Sequence, residues 1–210
     1  MTAEVRDSYD GMATLYAELF LSDLEHDRDS RERLATFAEL AAHRDGPVAD
    51  VGCGPGHVTN HLTAFGLTVI GYDLSPGQIA EARIAFPDGE FHVGDLTAMD
   101  STDSSVGGIV SRHSLIHLDP SRLAEAFEEW MRVLEPEAPV FVSFFGSLSA
   151  EAHGTPFDHK VVTAYELFPA TVAGQLRDAG FTIVEIGALD PPEGGRPFSR
   201  ATVIAQKPGD

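Results

Sequence analysis

The chain has 210 residues, of which 43% are hydrophobic and 22% charged, proportions typical of one globular domain. Its formal net charge of −19, with no Lys/Arg-rich segment to offset it, argues against a nucleic-acid partner. The first residues lack a signal-peptide pattern, and no apolar run approaches the roughly 20 residues that span a bilayer. We therefore expect a cytoplasmic protein with no membrane partner. The single cysteine, Cys53, excludes an intramolecular disulfide and a multi-thiolate metal site.

The N-terminal part of the sequence predicts helices. Between residues 8 and 42, apolar and aromatic side chains recur at spacings of three and four, which is typical of amphipathic helices. Between these stripes, "SDLEHDRDSRER" is strongly polar and indicates a solvated turn or helix face.

From residue 47 onwards, short apolar runs alternate with amphipathic segments. Predicted strands include "PVADVG", "LTVIGYD", "EFHVGD", "SVGGIVSRHS", "PVFVSFF", "FTIVEI" and "ATVIAQK". Predicted helices include "HVTNHLTAF", "PGQIAEARIAF", "PSRLAEAFEEWMRVL" and "ATVAGQLRDAG". This alternation predicts an α/β fold, with a mostly parallel sheet covered by helices on both faces.

A glycine-rich segment, "VADVGCGPGHVT", follows the first predicted strand and carries Gly52, Gly54 and Gly56. A glycine turn between a strand and a helix leaves backbone N–H groups open to a ligand. In the dinucleotide fingerprint the third glycine comes three residues after the second, but here His57 holds that position. The spacing and the preceding acid, Asp50, therefore disfavour a nicotinamide oxidoreductase.

The acid-x-Gly-x-Gly-x-Gly arrangement in "DVGCGPG" resembles motif I of the class I S-adenosylmethionine-dependent methyltransferases, and the resemblance extends along most of the chain. It implies a Rossmann-like, seven-stranded, mostly parallel sheet with helices on both faces, and residues 1–210 forming a single methyltransferase domain. It also implies S-adenosyl-L-methionine as the cofactor. Many relatives have two glycines before the fifth strand, whereas this chain has Glu137 and Ala138, so we expect a differently built turn.

The same resemblance assigns cofactor contacts downstream of the glycine turn. In "GYDLS", Asp73 matches the acid that accepts both ribose hydroxyls, and in "VGDLTAMD", Asp95 matches the acid that accepts from the adenine amino group. "IVSRHSLIHL" matches the segment beneath the methionine part of the cofactor. The cofactor-binding residues implied in this way are Tyr9, Tyr16, Asp50, Gly52, Cys53, Gly54, Asp73, Leu74, Asp95, Leu96, Arg112 and His113.

Chemistry supports the two downstream acids independently, because a ribose diol offers two donors and a carboxylate at a strand end can accept both. The structural alternatives are that Asp73 caps a helix and that Asp95 belongs to a turn. Cys53 is a candidate nucleophile, although a small side chain that fills a tight turn fits its position better.

The sequence gives fewer indications of which segments bind the acceptor. Residues 1–45 resemble the N-terminal lid helices of small-molecule methyltransferases, in which tyrosines such as Tyr9 and Tyr16 close over the cofactor; the alternative is that both tyrosines only pack. A long insertion, residues 146–170, is expected to form the acceptor pocket. Phe144, Phe145 and Phe157 favour a hydrophobic or aromatic acceptor, or else belong to the sheet core.

Histidine is the natural proton acceptor near neutral pH, and the catalytic candidates are His113, His117, His153 and His159. Each of them alternatively shapes the pocket, and the scattered histidines show no metal-ligand spacing. We expect an enzyme, monomer or homodimer, that methylates O or N of a small molecule, as in bacterial secondary metabolism. The alternatives are a cyclase-type or other non-methylating enzyme on the same fold, and a non-catalytic binding module.

Overall fold

The computed structural model describes residues 2–147, 149–190 and 198–209. The helices are α1 (Ala3–Asp10), α2 (Ala13–Phe20), α3 (Asp23–His26), α4 (Arg28–Ala41), α5 (His57–Thr63), α6 (Pro76–Ala85), α7 (Leu123–Val133) and α8 (Pro169–Asp178). The strands are β1 (Val48–Val51), β2 (Val69–Asp73), β3 (Glu90–Val93), β4 (Gly108–Arg112), β5 (Pro139–Gly146), β6 (Pro156–Asp158), β7 (Thr163–Tyr165), β8 (Thr182–Leu189) and β9 (Ser199–Gln206).

Seven strands form one sheet in the order β3-β2-β1-β4-β5-β9-β8. The first five strands in this order pair in parallel, while β9 is antiparallel to both β5 and β8. The strand order reverses between β1 and β4, and ligands of open α/β sheets bind in the crevice beyond the carboxyl ends of the strands at such a point. The predicted fold class is confirmed.

Apolar side chains pack against both faces of the sheet. On one face, Trp130 and Phe127 of α7 are fully buried among residues of β4, β5 and β9. On the other face, Leu34 and Phe37 of α4 pack with Phe141 of β5. Phe144, for which the sequence left a pocket role open, is fully buried in the first of these clusters, so it belongs to the sheet core.

The predicted N-terminal helices are present as α1, α2 and α4. The polar stretch between them forms α3 and the first turns of α4, where Asp27 acts as the N-cap and accepts a hydrogen bond from the Ser30 N–H at 3.1 Å. α1 and α2 pack against α6, so the N-terminal segment lies over the end of the sheet at which the glycine turn opens.

Two loops differ from regular α/β connections. Between β5 and α8, β6 and β7 pair antiparallel as a separate two-stranded ribbon. Before β5, Glu137 adopts a φ of 61°. Glutamate thus takes, at a conformational cost, the left-handed conformation that glycine adopts freely.

Within the described ranges, no helix has both the length and the apolar character needed to cross a bilayer.

Candidate functional site

The glycine turn starts where β1 ends and is backed closely by a neighbouring loop. Gly52 has a φ of 78°, and a Cβ there would collide with the Ser114 side chain, whose Oγ donates to the Val51 carbonyl at 2.9 Å. Gly54 has a φ of 52°, and a Cβ there would face Tyr16 and Gln78 at 3.7 Å. The turn therefore needs glycine for its conformation and presents bare backbone towards Tyr16 and Gln78.

Asp73, at the end of β2, holds this turn to the next loop. One of its carboxylate oxygens accepts from the Gly54 N–H at 2.9 Å and the other from the Ser75 N–H at 2.9 Å. Desolvation raises the pKa of the Asp73 carboxyl, against the lowering effect of these backbone hydrogen bonds. Each oxygen keeps lone pairs for further donors, so the geometry suits a carboxylate that receives hydroxyl groups.

A cavity lies between the glycine turn, the ends of β2 and β4, and α1. It is lined by Val5, Arg6, Tyr9, Tyr16, Gly52, Gly54, Asp73, Leu74, Ser75, Gln78, Gly94, Leu96, Arg112, His113, Ser114 and His117. We call it the inner cavity. The Gln78 side chain is 1% exposed, and among the described residues its amide nitrogen and oxygen have no hydrogen-bond partner. Buried polar atoms of this kind indicate a polar ligand.

Most of the predicted cofactor-binding residues meet at the inner cavity. Tyr9, Tyr16, Gly52, Gly54, Asp73, Leu74, Leu96, Arg112 and His113 line it. Three others do not. Asp50 lies behind the turn, 1% exposed, where it accepts from Thr59 Oγ1 at 2.6 Å, and burial raises its pKa to about 7.

Cys53 is the second residue outside the inner cavity. It is buried with Ile79 and Phe91, and burial raises the pKa of its thiol well above the usual value. A thiol of this kind stays protonated and is a poor nucleophile. The third is Asp95, whose carboxylate accepts from the Thr97 N–H at 2.9 Å in a local turn next to Leu96. The turn role that the sequence left open for Asp95 is thus present.

A hydrogen-bonded chain connects α1 to the β6–β7 ribbon. The Tyr9 hydroxyl lies 2.7 Å from His117 Nε2, and His117 Nδ1 lies 3.3 Å from the Thr163 carbonyl oxygen. Since a carbonyl only accepts, Nδ1 carries the proton and Nε2 accepts from Tyr9. Burial lowers the pKa of His117 to about 4, so the ring is neutral at pH 7.

A second, larger cavity of about 430 Å³ lies beyond the inner one. It is lined by Met12, Tyr16, Leu19, Phe20, Asp23, Asp27, His57, Arg112, His113, Phe145, His159, Lys160, Val161 and Arg200. We call it the outer cleft. Tyr16, Arg112 and His113 line both cavities. These three residues therefore form the wall at which a ligand in one cavity meets a ligand in the other.

His113 has an unusual backbone. Its φ is 58°, a conformation that costs energy for a residue with a Cβ and that occurs often at functional sites. Its ring stacks on Phe145 with 4.6 Å between centroids, and Nδ1 has no hydrogen-bond partner among the described residues. Desolvation lowers the pKa of His113 well below the usual value, so the ring is neutral and its lone pair is available.

Arg112 is held by acids from the N-terminal helices. Its guanidinium lies 2.7 Å from Asp23 and 3.2 Å from Asp27, and Arg200 contacts Asp27 at 3.0 Å from the other side. The Arg112 side chain is 8% exposed. Its position at the wall is therefore set by Asp23 of α3 and by Asp27, the N-cap of α4.

The other two catalytic candidates lie apart. His159 lines the outer cleft beside Phe145, with 5.8 Å between ring centroids. Phe157 packs 6.2 Å from the His159 ring. His153 lines neither cavity, because its Nδ1 accepts from the Phe168 N–H at 3.0 Å within the insertion.

Sequence reasoning did not find Gln78, Asp10 or Arg200. Gln78 lies in the first turn of α6, directly after the segment that carries Asp73. This closeness to Asp73 was the one feature from which the sequence could have indicated a role for Gln78. Asp10 is far away in sequence but accepts from the Gly77 N–H at 2.6 Å. Arg200 lies in β9, and no local sequence feature indicated that it would line a cavity.

Within the described part of the chain, no group of three or more His, Cys, Asp and Glu side chains is arranged to hold a metal ion.

Comparison with known proteins gives a consistent result. Residues 48–137 match the methyltransferase domain family. Over 144 residues the sequence is 28% identical to the demethylmenaquinone methyltransferase of Beutenbergia cavernae. This alignment covers 69% of this chain but 59% of that protein, so the chain spans about three fifths of the length of the curated relative.

Solved structures share the fold. Magnesium protoporphyrin IX methyltransferase (ChlM) of Synechocystis PCC 6803, determined with bound SAM, superposes with a TM-score of 0.73 at 16% identity, covering 99% of this chain and 98% of that one. The [4+2]-cyclase SpnF superposes with a TM-score of 0.71 at 18% identity, covering 86% of this chain and 82% of that one. At such identities the likeness concerns the fold alone.

Proposed function

We propose that the chain is a class I S-adenosylmethionine-dependent methyltransferase, as its match to the methyltransferase domain family supports, and that it methylates an oxygen or nitrogen of a small, hydrophobic or aromatic acceptor bound in the outer cleft. When bound, S-adenosyl-L-methionine supplies an electrophilic methyl group on a positively charged sulfur. The observation that carries the proposal is that Tyr16, Arg112 and His113 line both cavities. A cofactor in the inner cavity and an acceptor in the outer cleft would therefore lie next to each other at these three residues.

The residues of the inner cavity fit this cofactor. The Asp73 carboxylate has lone pairs for the two ribose hydroxyls beyond those used by Gly54 and Ser75. Gln78, buried without a partner in the described structure, supplies a donor and an acceptor. Leu96 supplies an apolar contact and a backbone N–H for the adenine. The bare backbone at Gly54 leaves room for the amino-acid end.

The side chains at the wall align the acceptor and exclude water. An acceptor lone pair must lie in line with the methyl carbon and the sulfur for displacement, and holding the two ligands in adjacent cavities supplies this alignment. Tyr9 and Tyr16 contact each other with 5.5 Å between ring centroids and cover the inner cavity from the α1–α2 side, which supports the proposed lid role of residues 1–45.

We assign the proton acceptor to His113. A hydroxyl acceptor must lose its proton as the new bond forms, and an ammonium must lose one before its nitrogen lone pair can attack; a neutral imidazole can take either proton. The assignment rests on geometry, because His113 lies at the wall and its Nδ1 has no partner among the described residues; burial lowers its pKa, which keeps the ring neutral and makes it a weak base. His117 is already engaged at both ring nitrogens, so it acts as a positioning residue. His159, from the 146–170 insertion, lines the outer cleft and would shape its acceptor side.

The test combines binding and turnover. Calorimetry with S-adenosylmethionine and with NAD should show binding of the methyl donor only. Incubation with isotopically labelled methyl donor and a panel of phenols and amines should then give products carrying the label. Asp73→Asn should weaken both signals, whereas Asp88→Asn, in an exposed turn, should leave them unchanged. Binding of NAD without binding of the methyl donor would refute the cofactor assignment.

A non-methylating reaction is the second candidate, supported by the fold likeness to the [4+2]-cyclase SpnF. Mass spectrometry separates the two. A methylated product is heavier than the acceptor by one CH₂, whereas a cyclised isomer has an unchanged mass. A product of unchanged mass, formed at a rate that depends on bound cofactor, would favour the second candidate.

A further inference from the structure

The outer cleft concentrates positive charge in an acidic protein. It is lined by Arg112, Arg200 and Lys160, three of the 14 basic residues of the chain, but by only two of its 33 acids, Asp23 and Asp27. These charged lining residues sum to +1 in a chain whose net charge is −19, and the local potential follows the nearby charges. The charge distribution therefore points to an anionic group on the acceptor.

The two acids do not neutralise all three cations. Asp23 pairs with Arg112, and Asp27 lies between Arg112 and Arg200. Asp27 also accepts from the Ser30 N–H and hydroxyl, so both of its oxygens are shared among several donors. In the described structure the guanidinium of Arg200 makes one ion pair, which leaves most of its five N–H donors for a ligand.

The available cations lie at the open end of the cleft. The Arg112 side chain is 8% exposed, whereas that of Arg200 is 43% exposed and that of Lys160 is 72% exposed. Lys160 contacts only Asp158 among the ion pairs of the described residues, and an exposed pair of this kind exchanges readily with other anions. Arg200 and Lys160 therefore form an outer cationic rim.

Apolar side chains also line the cleft, beside the Asp27 carboxylate that contacts both Arg112 and Arg200. Leu19 and Phe20 of α2 are 60% and 38% exposed, and Phe145 faces the cleft from β5. Exposed apolar side chains that line a cleft are covered favourably by the apolar part of a ligand. The cleft thus combines His113 at the wall, apolar side chains, and two cations with exposed side chains, Arg200 and Lys160.

We propose that the acceptor is an amphipathic organic acid whose carboxylate is held by Arg200 and Lys160. Its apolar or aromatic body lies between α2 and Phe145, and a separate hydroxyl or amine faces His113. A planar guanidinium binds a carboxylate through two parallel hydrogen bonds. This inference rests on the proposed function, because it takes the outer cleft as the acceptor site.

Matched pairs of ligands test the proposal. Binding of 4-hydroxybenzoate, 4-hydroxycinnamate and octanoate, each against its own primary carboxamide, is measured by calorimetry with and without S-adenosylhomocysteine. At least one acid should bind about tenfold more tightly than its amide, and raising NaCl from about 0.1 M to about 0.5 M should weaken the acid and not the amide. Equal binding of acids and amides, or no binding of any acid, would overturn the proposal.

Variants locate the effect. Arg200→Gln and Lys160→Gln should each lower the ratio of acid to amide affinity severalfold. Arg28→Gln, which removes an exposed arginine on the outer side of α4, should leave the ratio unchanged. Lys160 lies at the tip of the β6–β7 ribbon and makes no core contact, so its variant stays informative if Arg200→Gln unfolds. A preference for acids that survives in Lys160→Gln and Arg200→Gln would also overturn the proposal.

The same experiment separates this inference from the proposed function. Affinity for S-adenosylhomocysteine is obtained in the same titrations and depends on the inner cavity. If the nucleotide binds and a neutral phenol is methylated without any preference for acids, the proposed function stands and the anion assignment fails. If the acids bind in the manner described and the nucleotide does not, the cofactor assignment fails.

Discussion

Tyr9→Phe removes one hydroxyl from the chain that connects α1 to the ribbon, and its effect can be worked out from the geometry. The Tyr9 hydroxyl donates to His117 Nε2 at 2.7 Å, and His117 is 6% exposed. Without the hydroxyl, Nε2 has no donor. Moving the proton to Nε2 would not help, because Nδ1 would then face the Thr163 carbonyl without a proton. One buried polar group is left unsatisfied in either tautomer.

Such a group costs about 1–3 kcal/mol. For a chain of this size, we expect the melting temperature to fall by roughly 3–10 °C. Urea denaturation without ligand measures the free energy of unfolding. Tyr16→Phe is the matched control, because the structure gives the Tyr16 hydroxyl no hydrogen bond among the described residues. In a His117→Ala background, Tyr9→Phe should cost little. Equal stabilities of the two phenylalanine variants, or an undiminished cost in that background, would refute the reasoning.

Three further predictions concern the inner cavity, the wall and the buried Asp50 behind the glycine turn. Asp73→Asn places an amide NH₂ against one of two backbone N–H donors and should weaken S-adenosylhomocysteine binding by about 1–3 kcal/mol in calorimetry; unchanged affinity would contradict the ribose role. His113→Asn tolerates the left-handed backbone but removes the imidazole, so kcat for a hydroxyl acceptor should fall by about 10²–10⁴ with nucleotide affinity retained; a wild-type kcat would exclude His113 as the base. For Asp50, burial raises the pKa to about 7, so the folded state holds a proton that the unfolded state releases from about pH 4 upwards, and stability is lost as pH rises towards 7. In denaturation at pH 5 and pH 8, Asp50→Asn should therefore lose less stability on going to pH 8 than the wild type does; parallel losses would show that Asp50 does not carry this effect.

Local patterns predicted the sheet because each strand and helix is specified by residues close together in sequence. The alternation of β-branched runs with amphipathic segments reflects burial on two faces, and the structure contains every strand and helix predicted after residue 47. The polar segment after α2 was harder to interpret. Two of its acids, Asp23 and Asp27, hold Arg112, a contact across 85 or more residues, while Glu25 and Glu32 are exposed.

The candidate site was predictable where the chain itself sets the geometry and less so where distant segments meet. Gly52 and Gly54 line the inner cavity because they follow β1 directly, and Asp73 because it ends the adjacent strand. Asp50 is one residue from the end of β1, and alternation along the strand directs its side chain behind the turn. The ribbon β6–β7 and the exposed cations of the outer cleft depend on tertiary packing, which no local pattern specifies. The binding and catalytic roles themselves stay predictions.

Asp10, the last residue of α1, accepts from the Gly77 N–H and from Ser75 Oγ, and so caps the N-terminus of α6. The loop that it stabilises also carries Asp73. If occupancy of the crevice favours the docked position of α1, docking must favour occupancy by the same factor, since such coupling is reciprocal. Shortening the protein by its first ten residues should then lower nucleotide affinity and protease resistance of α6 together, although no deleted atom belongs to the sheet.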